Sequence, residues 1–184
     1  MVVLSGRMIA LLLLTVACSS DPPPDPPQPV SQQGMPNDAV HAGVTLPAAP
    51  DVVSHCTDEQ QVLFSCEIVE RPGSIVSLCT SRKITADVGF MDFRFGPVGK
   101  PDVSYPAAPT HPSKAFKYAS NTPSPDISSS SWSFELDGAT YVLSEAAMMG
   151  EMTHELTVRQ ADSSSVSWLC KQPATANLGA LQGL

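Results

Sequence analysis

The amino-acid sequence predicts an all-β domain, a small antiparallel β-barrel or sandwich with two disulfides. Between residues 51 and 173, short runs of alternating apolar and polar residues are separated by turn residues, and no run has a convincing helical period. About seven such runs fit into roughly 110 residues, a spacing typical of antiparallel sheets. Four cysteines lie in the same part of the chain. The preceding residues differ in composition and predict a signal peptide followed by a disordered proline-rich tether.

The first three strands follow from this alternation. Residues 61–69 and 74–80 predict a hairpin that turns at Arg71-Pro72-Gly73. Residues 88–95 predict a third strand, which ends at the turn formed by residues 96–99. The alternation places three side chains of the third strand on one face: Met91, Phe93 and Phe95.

The second half of the domain contains the clearest hairpin signal. Asp137-Gly138 lies between two alternating runs within residues 132–143, and this pair favours a type I′ turn because both positions tolerate positive φ angles. Two further strands are predicted at residues 154–160 and 165–170, with residues 161–164 as their turn.

Three segments show no strand pattern. Residues 100–131 are rich in Pro, Ser and Asn and predict a long loop. Residues 144–151 predict a short helical turn, and residues 174–184 predict a flexible C-terminal tail.

The N-terminus has the pattern of an exported lipoprotein. Arg7 precedes an apolar run of about ten residues, which suits a signal peptide and is too short to span a bilayer. The run ends at Ala17-Cys18 and resembles the bacterial lipobox, although Thr15 stands where leucine is usual. The resemblance implies cleavage after residue 17 and acylation of Cys18. Ser19, which is not aspartate, implies passage to the outer membrane.

Residues 18–50 predict a tether with polyproline character between the lipid and the domain. The net charge of −8 becomes about −9 if Arg7 is removed with the leader. An acidic surface repels phosphate backbones, so nucleic-acid binding is disfavoured and a basic protein partner is favoured. The membrane is therefore reached through the N-terminal lipid rather than through surface charge.

Acylation of one cysteine leaves an even number for disulfides, which suits an exported protein. In a hairpin that turns at Arg71-Pro72, Cys66 lies opposite Ser77, and Cys79 lies opposite Phe64. Cys66 and Cys79 are then diagonal neighbours, a poor arrangement for a bond. Spacing alone allows three pairings. We favour two of the possible bonds: Cys66–Cys170 and Cys56–Cys79.

No catalytic or cofactor motif is present, and a non-catalytic binding module without cofactors is expected. There is no Gly-x-Ser-x-Gly elbow, phosphate loop or HExxH pattern. His55, His111 and His154 serve as bases only if the fold brings them together with a nucleophile. The cysteines and histidines of the sequence do not show the close paired spacing that zinc-binding motifs have.

One candidate metal site is the segment with Met149, Met152 and His154, since thioether and imidazole ligands suit Cu(I). The alternative is that these methionines fill gaps in apolar packing. A copper-binding lipoprotein therefore stays open as an alternative function.

Four motifs of this chain resemble those of a group of uncharacterised secreted bacterial β-domain lipoproteins. The motifs are Phe64-Ser65-Cys66, Val76-Ser77-Leu78-Cys79, Phe93-Arg94-Phe95-Gly96 and Tyr105-Pro106. The resemblance covers residues 56–170 and implies a small disulfide-bonded β domain without an assigned activity.

A looser similarity is to membrane-bound inhibitors of c-type lysozyme. The two linked cysteines of that family have counterparts here in Phe64-Ser65-Cys66 and Leu169-Cys170-Lys171. Its Ser-Gly-x-x-Tyr loop resembles residues 137–141, except that the serine of that loop is absent here. The similarity implies a β-barrel lipoprotein that inhibits a hydrolase, which is the main alternative function.

Overall fold

The computed structural model describes residues 53–184, all of which belong to one compact unit. Within this range the chain forms ten β-strands, one short α-helix and a 3₁₀ helix. The strands and helices are β1 (Gln60–Ile68), β2 (Arg71–Ser81), β3 (Met91–Pro97), β4 (Val103–Thr110), α1 (Pro112–Ala115), β5 (Lys117–Ser124), β6 (Ile127–Leu136), β7 (Ala139–Met148), β8 (Glu151–Arg159), β9 (Ser165–Leu169), β10 (Thr175–Ala176) and the 3₁₀ helix (Leu178–Leu181). The predicted all-β class is confirmed.

The strands form two antiparallel five-stranded sheets. Sheet 1 has the order β10-β1-β2-β3-β4, and sheet 2 has the order β5-β6-β7-β8-β9. At one side the end of β1 meets the end of β9: the Val69 amide donates to the Leu169 carbonyl at 2.9 Å, and the Lys171 amide donates to the Glu67 carbonyl at 2.7 Å. The architecture is therefore a sandwich with one partly closed side.

Aromatic rings join the two sheets in the core. Phe134 of β6 stacks on Tyr105 of β4 with centroids 4.4 Å apart and on Tyr141 of β7 with centroids 5.0 Å apart. Phe93 of β3 lies 4.8 Å from Phe134. Such pairs contribute about 0.5–1.5 kcal/mol each beyond their buried area. The predicted alternation of β3 is confirmed, because Met91, Phe93 and Phe95 are buried.

The predicted hairpin at Asp137-Gly138 is confirmed. The two residues have φ angles of 51° and 79°, and β6 pairs with β7 from Leu136↔Ala139 onward without a register shift. The turn before β9 also falls where it was predicted, between Arg159 and Ser165.

The predicted turn of the first hairpin was wrong. The chain turns at Val69-Glu70, and Arg71 already belongs to β2. Irregularities in the pairing near Ile68 and Phe64 shift the register by one, so Cys66 lies opposite Val76 and Phe64 opposite Leu78.

The loop predicted for residues 100–131 was also wrong. This stretch contains β4, α1, β5 and the start of β6. β4 and β5 are edge strands, each paired on one side only within its sheet. Edge strands are largely exposed and tolerate proline, so they lack the apolar alternation that identifies buried strands.

The helical turn predicted for residues 144–151 does not form. β7 continues to Met148, Met149-Gly150 make the turn with φ angles of 54° and 87°, and β8 begins at Glu151.

The flexible tail predicted for residues 174–184 was wrong as well. The segment pairs with β1 through β10, and the Asn177 amide donates to the Leu63 carbonyl at 2.9 Å. Leu178 and Leu181 are fully buried. Two leucines that complete the core fix the end of the chain in place.

The signal peptide of residues 1–17, the lipid site Cys18 and the tether of residues 18–50 lie outside the described residues. Among residues 53–184, no helix has the length and apolarity needed to cross a membrane.

Candidate functional site

The two disulfides are those predicted. Cys56 is bonded to Cys79 and Cys66 to Cys170. The first fastens the entry segment, residues 53–57, to β2, and the second joins β1 to the residue that follows β9. The disulfides therefore fasten the entry segment and the chain that follows β9 to sheet 1.

A buried polar layer holds the entry segment against the outer face of sheet 1. The Ser77 hydroxyl accepts from the His55 amide at 3.0 Å, and the Ser65 hydroxyl donates to the Val53 carbonyl at 3.0 Å. The Arg94 guanidinium donates to the His55 carbonyl. Sequence reasoning missed this layer, because serine and arginine between apolar residues usually indicate a solvated face.

Asp92 completes this layer and carries a perturbed carboxyl group. Burial raises the pKa of Asp92, while the neighbouring Arg94 charge and the Gln60 amide oppose that rise. Arg94 Nε lies 3.1 Å from one carboxylate oxygen, and Gln60 Nε2 donates to the other at 2.5 Å. All these groups hold the entry segment in place, and the arrangement is structural.

Each of the three histidines in the described part of the chain has its own structural partner. His55 Nε2 donates to the Gly96 carbonyl at 3.2 Å, and His111 Nε2 donates to the Thr85 carbonyl at 2.8 Å. His154 Nδ1 accepts from Gln172 Nε2 at 3.2 Å. The contacts tie each ring to a different part of the chain.

Exposed apolar side chains are concentrated at one end of sheet 2, where the β7–β8 turn meets the β5–β6 turn. The exposed fractions are 85% for Met149, 61% for Met148, 48% for Met152 and 41% for Ile127. The Met149 amide donates to the Asp126 carbonyl at 3.0 Å and so joins the two turns. We call Ile127, Met148, Met149 and Met152 the apolar tip.

The register shows how these side chains point. Ile127 pairs with Met148 and Met148 with Glu151, so these residues share one face of the hairpin. Met152 pairs with Ala147 and lies on the opposite face, while Met149 is at the turn between them. The tip is therefore apolar on both faces.

Carboxylates flank the apolar tip. Asp126 precedes Ile127 in the β5–β6 turn, and Glu151 follows the β7–β8 turn; both are exposed. The tip thus has an apolar apex with an acidic rim, and an apex of this kind complements an apolar recess with a basic rim.

The residues of the candidate copper site are not assembled into a ligand set. Met149 lies at the turn and Met152 on one hairpin face, and the His154 ring is buried against Phe64 with centroids 6.0 Å apart. Burial also lowers the pKa of His154. Within the described part of the chain, no group of three or more His, Cys, Asp or Glu side chains is placed to hold a metal ion.

A groove of about 440 Å³ lies elsewhere, beside the end of β1. Its apolar lining includes Val53, Ile75 and Val98, and the Lys171–Glu67 ion pair, with 3.0 Å between nitrogen and oxygen, lies in its wall. Hydrogen bonding to the Gly73 amide and to Lys171 lowers the pKa of Glu67. Because its charges are paired with each other, the groove offers little electrostatic selectivity.

The segment that resembles the inhibitor loop, residues 137–141, forms the turn and first residues of the β6–β7 hairpin. Tyr141 is half-buried in the aromatic core. Comparisons of this chain with protein-family models, with curated proteins and with solved structures found no match.

Proposed function

We propose that this protein is a bacterial envelope lipoprotein whose β domain is a non-catalytic binding module, and that it inserts the apolar tip into a cleft of a basic protein partner. The observation that carries the proposal is the apolar character of both faces of the β7–β8 turn. A tip that docked flat on a surface would leave one apolar face in water. Insertion into a cleft covers both.

The energetic argument for insertion rests on the methionines. Full burial of a fully exposed Met or Ile side chain contributes about 1.5–3 kcal/mol, and each of the four tip side chains, which are 41–85% exposed, can gain a corresponding part of that. Methionine also adapts its shape to an irregular pocket. These features favour a protein cleft as the docking site.

The charge of this protein indicates which proteins with such a cleft are suitable partners. The chain has a net charge of −8, and Asp126 and Glu151 lie next to the tip. The same carboxylates disfavour an anionic bilayer, so the proposed partner is a basic protein.

Inhibition of a hydrolase such as c-type lysozyme is the specific form of this function that we propose to test first, because such an enzyme combines a basic surface with an open substrate cleft. In this form, the tip occupies the cleft and excludes substrate. The two disulfides support this role, because a rigid body loses less conformational entropy on binding.

The test measures c-type lysozyme activity with stoichiometric purified protein. Wild type is expected to inhibit, and the double variant Met149→Ser/Met152→Ser is expected to lose inhibition. Val98→Ser, which changes an exposed valine elsewhere on the domain, is the matched control and should inhibit fully. Full lysozyme activity at excess wild-type protein would exclude this partner class.

The lipid anchor belongs to the same proposal and rests on the leader, Ala17-Cys18 and Ser19. Several acyl chains on Cys18 give stable anchoring, whereas one chain gives only marginal binding. Intact-mass analysis of the native protein should show a chain that begins at Cys18 with acyl mass on it. Membrane fractionation should place that chain at the outer membrane. Cys18→Ser should release the protein from the membrane fraction. A mature chain that starts elsewhere without acyl mass contradicts the anchor.

A further inference from the structure

We infer that the apolar tip is a site of reversible methionine oxidation and that sulfoxide formation there switches off binding; the second part rests on the proposed function. Three thioethers, those of Met148, Met149 and Met152, lie within five residues and are exposed to solvent. Met91 of β3 is fully buried. Because oxidation of methionine depends on access of the oxidant to sulfur, the two environments separate an oxidisable cluster from a protected core residue.

The oxidant class is a hydroperoxide, ROOH. A lone pair of the thioether sulfur attacks the terminal peroxide oxygen, the S–O bond forms and the O–O bond breaks. The hydroxyl proton of the peroxide moves to the departing alkoxide, which leaves as ROH. Sulfur loses two electrons and the peroxide gains two. A thiol-dependent methionine sulfoxide reductase reverses the change.

The consequence for the tip follows from its position. A sulfoxide is polar and strongly hydrated, so each oxidised residue loses the free energy that its burial in a cleft would provide. The three methionines lie outside the hydrophobic core cluster, whereas Met91 is a member of it. Oxidation at the tip therefore changes the surface and leaves the folded domain intact.

The first experiment treats the purified native protein with hydrogen peroxide and follows each methionine by peptide mass spectrometry. The three tip methionines are expected to oxidise before Met91. Met91 should react at least about 100-fold more slowly, because the unfolded fraction of a typical domain is about 10⁻³ or less. In guanidinium Met91 should lose its protection. Equal rates for Met91 and the tip in the native protein would overturn the inference.

A second readout does not need a binding partner. Oxidised protein should elute earlier from a phenyl hydrophobic-interaction column, at an unchanged thermal midpoint, and sulfoxide reductase should restore the original elution. The triple variant Met148→Leu/Met149→Leu/Met152→Leu keeps the tip apolar but removes its sulfur, so its elution should respond to peroxide less than that of wild type. A peroxide response of that variant equal to wild type would place the modification outside the tip.

The switch itself is tested with c-type lysozyme. Peroxide should abolish inhibition by wild type and reductase should restore it, whereas the level of inhibition that the triple leucine variant shows before treatment should be unchanged after treatment. Undiminished inhibition by fully oxidised wild type would overturn the switch. If untreated protein does not inhibit, the partner assignment fails, while the mass and elution results still decide the modification site.

Discussion

The indole nitrogen of Trp132 donates a hydrogen bond to the Leu178 carbonyl at 3.0 Å. This contact joins β6, an inner strand of sheet 2, to the 3₁₀ helix near the end of the chain. Nearby, the Gly179 amide donates to a Glu145 carboxylate oxygen at 3.3 Å. The C-terminal segment is thus held both by polar contacts with sheet 2 and by the burial of its leucines.

The first prediction is that the C-terminal segment stabilises the domain. Leu178→Ala and Leu181→Ala should each lower the free energy of unfolding by about 2–5 kcal/mol, the usual cost of removing a buried leucine side chain. Urea titration followed by tryptophan fluorescence measures the change. Leu169→Ala is the control, because this leucine is about half exposed and its substitution should cost much less. Equal effects of the three substitutions would show that the segment is not part of the core.

The second prediction concerns the two disulfides, which close loops of different length. Cys66–Cys170 spans 104 residues and Cys56–Cys79 spans 23. In the chain-entropy description the longer loop contributes about 4.7 kcal/mol and the shorter about 3.4 kcal/mol. The double serine variant Cys66→Ser/Cys170→Ser should therefore unfold at lower denaturant than Cys56→Ser/Cys79→Ser. The reverse order would mean that fastening the entry segment contributes more to the free energy of unfolding than joining β1 to the end of β9.

The parts of the fold predicted correctly are those where local chemistry determines the structure. Asp137-Gly138 requires only its own backbone preference, and the alternation of Met91, Phe93 and Phe95 reflects one buried face. The pairing of Cys66 with Cys170 was predicted correctly although the register used to argue it was off by one. In both registers Cys66 and Cys79 are not directly opposite, so the conclusion did not depend on the error.

The parts that were missed depend on tertiary contacts. Residues 117–124 form β5 because β6 offers a partner edge, and their own pattern is polar. Leu178 and Leu181 follow proline, alanine and asparagine, so their sequence context resembles a tail, and only the open end of the core gives them a place to be buried. Of the proposed binding surface, the methionines were visible in the sequence, but their position at the end of a hairpin was not.

The third prediction compares two glycines with positive φ angles. A Cβ at Gly96 would lie 2.5 Å from the Asp102 amide nitrogen, whereas a Cβ at Gly99 would meet nothing within 4 Å. Gly99→Ala should cost about 1 kcal/mol from backbone strain alone. Gly96→Ala should cost about 1–3 kcal/mol more, because backbone atoms must shift. Thermal unfolding of both variants measures the difference, and equal midpoints would contradict the close approach of β3 to Asp102.

The last prediction is a pH dependence that comes from His154. Burial lowers the pKa of His154 below its ordinary value of 6.5. Between the lowered value and 6.5 the unfolded chain binds more protons than the folded chain, so the free energy of unfolding rises with pH in this window. The contribution is fully present above pH 6.5 and is lost as the pH falls through the lowered pKa.

Glu145, which lies opposite His154 on β7, acts in the other direction. Burial raises the pKa of Glu145 above 4.5, so its contribution is present below that value and is lost as the pH rises through the raised pKa. The two effects are separated by variants. Urea titrations between about pH 5 and pH 8 should show that His154→Gln removes the loss of stability on acidification below 6.5. Glu145→Gln should retain that loss. If wild type and His154→Gln respond identically to pH across this range, His154 is not the group responsible, and its burial does not control acid stability.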